Sequence, residues 1–177
     1  MTSRNGASLL SMMIRSVPNF PEPGIDFKDI TPILRDPASL RQAVDAMTDP
    51  FRELHVDLIV GLESRGFLFG MPIAYNLGVG FIPVRKAGKL PSETIGVNYN
   101  LEYGSNSLEI HRDAITSGQN VLLVDDLLAT GGTMAASIGL VEQLGGHIVG
   151  ASFLIELPIL NGRHQLQPHT VHSVICD

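Results

Sequence analysis

The chain has 177 residues, 44% of them apolar and 17% charged, with a formal charge of −6 at pH 7. This length suits one domain with a real core, and the apolar share excludes a disordered chain. The charge disfavours a dedicated nucleic-acid binder, which needs surplus Lys and Arg, and no window approaches the roughly 18 apolar residues of a membrane span.

In chain order, "GASLLSMMIRSV" has helical apolar spacing, and Pro18, Pro21 and Pro23 then force an extended, turn-rich segment. Asp36 is expected as an N-cap with Pro37 in the first turn of a helix that runs to a break at Pro50, with a second helical piece reaching Leu54. "VDLIV" is a strand, "GLESRG" a loop, "FLFGMPIAYNLG" a helix closed by Gly78, and "VGFIPV" the next strand. Residues 85–105 are polar and glycine-containing, with at most one weak strand in "TIGVNY"; a loop that long is expected to be functional.

"SLEIHRDAI" is the next strand, and the apolar run "NVLLV" is a buried parallel strand ending at Val124. Met134, Ile138, Val141 and Leu144 then fall at helical spacing, Gly145 and Gly146 stop that helix, and "HIVGASFLIEL" and "HTVHSVIC" supply the last strands. Strands alternating with helices, without repeat or linker, indicate one α/β unit over residues 1–177.

The stretch "VLLVDDLLATGGT" carries the chemistry. Its glycines stand between a buried strand and a helix start, where backbone N–H groups and the helix dipole favour an anion; Thr130 and Thr133 add hydroxyl donors. Walker-type spacing is missing, and the nearest dinucleotide fingerprint lacks its third glycine. A lone acid before glycine is ordinarily a turn or cap residue. Asp125 and Asp126 together suit a ligand that pairs a phosphate with hydroxyls or a divalent cation, such as a ribose phosphate.

This stretch resembles the phosphoribosyl-pyrophosphate motif of the type I phosphoribosyltransferases. "FPEPGIDFKDITPIL", "GLESRGFLFG", "RKAGKLP" and "LEYG" resemble, in the same order, the adenine-specific members of that family. The resemblance implies a twisted, mainly parallel sheet flanked by helices, with a small hood built from the N-terminal segment and the C-terminal strand region, in which residues 1–35 hold the base. It also implies a homodimer. The implied reaction joins adenine to 5-phospho-α-D-ribose 1-diphosphate, giving AMP and diphosphate, with Mg²⁺ carried by the substrate rather than held directly by protein ligands.

Carried onto this chain, the resemblance puts the ribose 5′-phosphate and its sugar on Asp125, Asp126, Ala129, Thr130, Gly131, Gly132 and Thr133. Diphosphate falls to Glu63, Ser64, Arg65 and Gly66, with a non-proline cis peptide between Glu63 and Ser64, and to Arg85, Lys86 and Lys89. Those three cations open a flexible catalytic loop over 85–105 that closes over the substrates. Glu102 becomes the proton-transfer residue and Tyr103 its orienter, with Arg65 and Lys89 also catalytic.

Adenine falls to Phe27 by stacking and to the main chain around Asp26 and Lys28, where family members tend to carry an apolar residue and an arginine. A xanthine-specific transferase and a DNA-binding regulator on the same fold are the rivals; the stretches above favour adenine, and the acidic total disfavours DNA. His164, His169 and His172 match no common metal spacing. Cys176, the one cysteine, has no intrachain partner, and with no signal-peptide pattern a cytoplasmic setting is expected.

Overall fold

The computed structural model describes residues 4–100 and 105–177. Helix α1 (Arg4–Met13) leads into β1 (Arg15–Pro18) and β2 (Asp26–Asp29), an antiparallel hairpin separate from the main sheet. This hairpin is the hood. Its turn carries the prolines read from the sequence, with a cis peptide at Phe20-Pro21.

A short helix unforeseen in the sequence, α2 (Thr31–Arg35), precedes α3 (Pro37–Thr48). The cap of α3 is the expected one: the Asp36 carboxylate accepts the Ser39 N–H at 2.7 Å, and Pro37 opens the first turn. Beyond Thr48 the chain makes a single 3₁₀ turn, Asp49–Phe51, instead of a second helical piece to Leu54.

The main sheet is built from β3 (Leu58–Leu62), β4 (Gly80–Lys86), β5 (Thr94–Asn100), β6 (Ser105–His111), β7 (Asn120–Leu128), β8 (His147–Glu156) and β9 (Val171–Cys176). Their order is β5-β6-β4-β3-β7-β8-β9. The run from β4 to β9 is parallel, while β6 pairs antiparallel with both β4 and β5. Helices α4 (Gly66–Leu77) and α5 (Gly132–Gln143) make the crossovers, and a four-residue α6 (Gly162–Gln165) lies before β9.

Period-two alternation in β7 sends Leu122 and Val124 into a core with Val44, Met47, Phe69 and Ile73 of α3 and α4. Val121 and Leu123 go to the other face, with Met134, Ile138 and Val141 of α5. Being buried on both faces is why that strand is apolar without alternation in its sequence.

Three expectations change. The described part of 85–105 holds more strand than expected: β4 runs to Lys86, and the weak strand foreseen in "TIGVNY" is β5, which pairs along β6 with Ile95 opposite Ile110 and Val97 opposite Leu108. Those cross-strand apolar pairs outweigh the polar residues between them. Strand β7 does not stop at Val124 but continues through both aspartates to Leu128, because β8 extends far enough to pair with it. Finally, β9 is an edge strand of the main sheet; it packs beside α1, and Asp177, which follows it, pairs with Lys28 of the hood.

Leu122 is fully buried at the centre of this arrangement. Leu122→Ala is expected to cost about 3 kcal/mol, lowering Tm by about 9 °C for a chain of this size, as read by calorimetry.

Candidate active site

Beyond the carboxyl ends of β3, β4 and β7, under the hood, lies a cavity of about 470 Å³. Open parallel sheets bind ligands at this edge. Its walls are Phe27 of the hood, Glu63, Ser64 and Arg65 after β3, Lys86 at the end of β4, Leu108 of β6, the Asp125–Leu127 segment, and Thr133. A second cavity of about 80 Å³ adjoins it, sharing Asp125, Leu127 and Thr133 and wrapped by Ala129 to Gly132. A larger groove of about 590 Å³ follows the outer face of α3, between Arg41 and Asp45 and Asp49. It is one side of a helix, away from every strand end, and carries no comparable set of donors.

The small cavity has the volume of about two or three liquid waters, room for one tetrahedral anion at the start of α5. Gly131 caps α5 at φ 87°, and a Cβ there would meet the Gly162 carbonyl oxygen at 2.5 Å. The reverse also holds, since a Cβ on Gly162 would lie 2.1 Å from the Ala129 carbonyl oxygen. Two glycines are therefore needed for the phosphate loop to lie flat against α6. Arg163 fixes α6 in turn, with Nε and Nη2 donating to Glu156 at 3.0 and 2.5 Å and Nη1 donating to the Val171 carbonyl at 2.7 Å.

At the junction of the two cavities stand the aspartates. Asp126 is only 3% exposed. Arg65 Nε lies 3.0 Å from Asp126 Oδ2, an ion-pair distance, yet off the N–H direction, so Oδ2 is buried without a hydrogen-bond donor. Burial raises the Asp126 pKa, and the Arg65 charge only partly offsets it. Asp125 is raised further, by burial and then by the Asp126 charge, although its Oδ1 accepts the Asp126 N–H at 2.9 Å. Its carboxyl packs on the start of α4, where a Cβ on Gly66 would come within 3.0 Å of Asp125 Oδ1 and 2.7 Å of the Val124 carbonyl. Gly66 is thus a packing residue beneath the pocket. Asp126 Oδ2 lacks a donor, which a sugar diol would supply.

On the opposite wall the Glu63-Ser64 peptide is cis, as the resemblance implied. The Glu63 carboxylate accepts from Arg85 Nε at 3.2 Å and from the Lys86 N–H at 3.0 Å. Burial would raise its pKa, but these bonds and the charges of Arg85 and Lys89 hold it below the usual value. Arg85 also donates to the Lys89 carbonyl at 3.0 Å, so it is occupied within the protein, while Lys86 reaches the cavity wall and Lys89 lies on the exposed turn after β4.

Of the three base-site residues, only Phe27 lines the cavity. Its ring meets Phe20 edge-on at 5.2 Å, and the Arg65 guanidinium sits 4.9 Å from its centroid. Asp26 and Lys28, two residues apart on β2, share the other face. Lys28 Nζ contacts Asp177 Oδ2 at 2.5 Å, Asp26 Oδ2 at 3.0 Å and Ser16 Oγ at 3.1 Å, while its carbonyl points back to Arg65 Nη1 at 3.5 Å. The Asp177 hydrogen bond is the main reason its pKa is raised, against burial.

Residues 29–176 match the phosphoribosyl transferase domain family. The chain belongs to that family. It is 55% identical over 166 residues to the adenine phosphoribosyltransferase of Nitrosococcus oceani, covering 94% of this chain and 97% of that one. Its fold superposes on the crystal structure of adenine phosphoribosyltransferase from Rhodothermus marinus with a TM-score of 0.96 at 50% identity, covering 99% and 100% of the two chains. The Saccharomyces cerevisiae enzyme, solved with an imino-altritol bisphosphate and adenine, gives 0.91 at 46% identity, covering 97% and 99%.

The family's phosphate motif, Ala129 to Thr133, thus falls on one cavity, and the acid pair, Ser64, Arg65, Lys86 and Phe27 fall on the adjoining one. Glu102 and Tyr103 lie outside the described residues. Sequence reasoning missed Leu127, hidden by ending β7 too early, and Leu108, whose wall exists only once β6 pairs with β4. It also missed Gly162 and Arg163, which line neither of the two adjoining cavities; the one signal was a glycine after Asn161, itself at φ 52°. His172 is a half-buried packing residue, edge-on to Phe51 with Nε2 3.1 Å from the Ala46 carbonyl, and His169 lies 3.7 Å from Glu142.

Asp125 has a folded pKa above its unfolded one. The folded state therefore keeps the proton, and stability falls as pH rises from about 4 through the folded pKa. Asp125→Asn removes that ionisation and keeps an oxygen for the Asp126 N–H. The variant is expected to gain about 3 °C in Tm at pH 7, with the gain vanishing toward pH 4, and to bind the phosphoribosyl substrate at least about tenfold more weakly.

Proposed function

We propose that this chain transfers the phosphoribosyl group of 5-phospho-α-D-ribose 1-diphosphate to N9 of adenine, releasing diphosphate and AMP, a purine-salvage reaction. It acts as an adenine phosphoribosyltransferase. The observation that carries the reading is the pair of adjoining cavities: one lined by the glycine loop at a helix start, the other by two aspartates, with Asp126 Oδ2 lacking a donor, beside an aromatic ring. A phosphate, a vicinal diol and a flat base are the three parts that such a cleft complements.

Phosphate in the small cavity places the ribose hydroxyls against Asp125 and Asp126, with C1′ in the larger cavity between Phe27 and the Glu63–Arg65 turn. The bond from C1′ to the diphosphate oxygen breaks as C1′ gains positive character, and the C1′–N9 bond forms. Arg65, Lys86 and the backbone after β3 stabilise the charge that gathers on the departing diphosphate. Arg85 and Lys89 join them when Glu63 releases Arg85.

A hydrated Mg²⁺ carried in by the diphosphate fits the donor-starved Asp126 Oδ2 and the acid pair beside it. When bound it would neutralise the leaving group. The adenine N9 proton goes to Glu102, with Tyr103 orienting the group, roles that rest on the family resemblance. The segment 85–105 covers the substrates during transfer, excluding water that would capture C1′.

A homodimer belongs to the same proposal. Leu68, Met71 and Tyr75, all exposed, fall along one face of α4, and Tyr75 is 86% open. A cytoplasmic setting is supported by the unpaired Cys176, and among the described residues no helix is long and apolar enough to cross a membrane.

The test is a product assay with Mg²⁺, phosphoribosyl diphosphate and each of adenine, hypoxanthine, guanine and xanthine. Adenine is expected to exceed the others by about a hundredfold or more in kcat/KM; equal turnover of an oxopurine would sink the assignment. Glu102→Gln is expected to lower kcat by about a hundredfold with the KM for adenine little changed. Near-normal turnover in that variant would exclude Glu102 as a required proton carrier.

A further inference from the structure

The hood hairpin stands apart from the main sheet, yet Phe27 must be held over a cavity whose other walls belong to that sheet. Among the described residues, two polar links cross the gap. Arg65 touches the Phe27 ring and the Lys28 carbonyl from inside the cavity. From outside, Lys28 Nζ binds Asp177, whose own backbone N–H donates to the Glu156 carbonyl at 3.0 Å. Asp177 is thereby fixed to the end of β8. Glu156 in turn holds Arg163 of α6, the helix against which the phosphate loop rests.

We infer that Lys28 and Asp177 form an ionic clamp that positions the base-binding face of the hood, with Asp26 and Ser16 completing the ring of acceptors around Nζ. The alternation of β2 makes this possible: side chains on the outer face tie the strand down, while Phe27 faces the cavity and the Lys28 carbonyl meets Arg65. Lys28 keeps 13% of its side chain exposed and Asp177 keeps 41%, so the pair is partly open to water and within reach of salt. Lys28 and Asp177 are positioning residues, acting on the base through Phe27. The inference rests on the reading of Phe27 as the base platform.

The test is steady-state kinetics of the full chain and its Asp177→Ala, Lys28→Met, Lys28→Arg and double Asp177→Ala/Lys28→Met variants, varying each substrate in turn. Asp177→Ala and Lys28→Met are each expected to raise the KM for adenine by about fivefold, the range of a partly exposed ion pair. Their kcat and their KM for the diphosphate substrate should stay within about twofold. The double variant should be no worse than either single one, because both remove the same contact, and Lys28→Arg should restore the wild-type value.

Ionic strength gives a readout independent of folding defects. Adenine is uncharged, so added salt should raise its KM in the wild type toward the variants' value and leave the variants unmoved. An unchanged KM for the base in Asp177→Ala, additive losses in the double variant, or a parallel rise in the KM for the diphosphate substrate would each overturn the clamp. Should the wild type prefer another purine, the proposed function falls separately, and the clamp is judged by the KM of the purine it does accept.

Discussion

Asp125 and Asp126 are adjacent carboxylates in a nearly closed site, and everything around them answers to that cost. Two neighbouring acids under low polarity resist full ionisation, and the one nearby guanidinium, Arg65, is aimed off the axis that would satisfy Asp126 Oδ2. The folded protein therefore retains an unmet demand for hydrogen-bond donors at the mouth of the phosphate cavity. A ligand that brings hydroxyls there recovers stabilisation the free protein lacks, so that binding free energy and the instability of the free site share one origin.

The rest of the architecture holds these charges in register. Strand β7, apolar on both faces until Val124, delivers the acids at its carboxyl end, and α4 brings Gly66 close enough for backbone and carboxylate to touch. Arg65 connects three parts at once: the acid pair, the Phe27 ring and the Lys28 carbonyl. The proposed sugar and base sites are thus joined through one side chain. Glu63 performs a comparable service for Arg85, holding its guanidinium beside the cavity.

Local signals in the sequence reported what local physics decides. The Asp36 cap, the Gly78 stop, the buried run before the acids and the helical spacing from Met134 to Leu144 all appear where their residue types place them. The phosphate loop was legible for the same reason, since glycine at positive φ and a helix start are short-range features. What escaped was set by partners distant in sequence. The extent of β7 depends on β8, the hairpin of β5 and β6 on apolar pairs across its strands, and the walls at Leu108 and Leu127 on both. The outward turn of Lys28 was equally invisible, because it is explained only by Asp177 arriving at the end of β9.

The mutual approach of Gly131 and Gly162 sets how freely this cleft can be re-engineered. Neither position accepts a methyl group unless the other backbone retreats, and α6 is tied down by Arg163 to Glu156 and Val171. Widening the anchor to admit a bulkier ester or phosphonate would therefore require relocating a whole helix, not trimming a side chain. On the proposed reading, selectivity for pentoses bearing a terminal monophosphate is consequently hard-wired into the main chain, whereas tolerance at the purine end, governed by side chains on a two-stranded flap, is open to change by single substitutions.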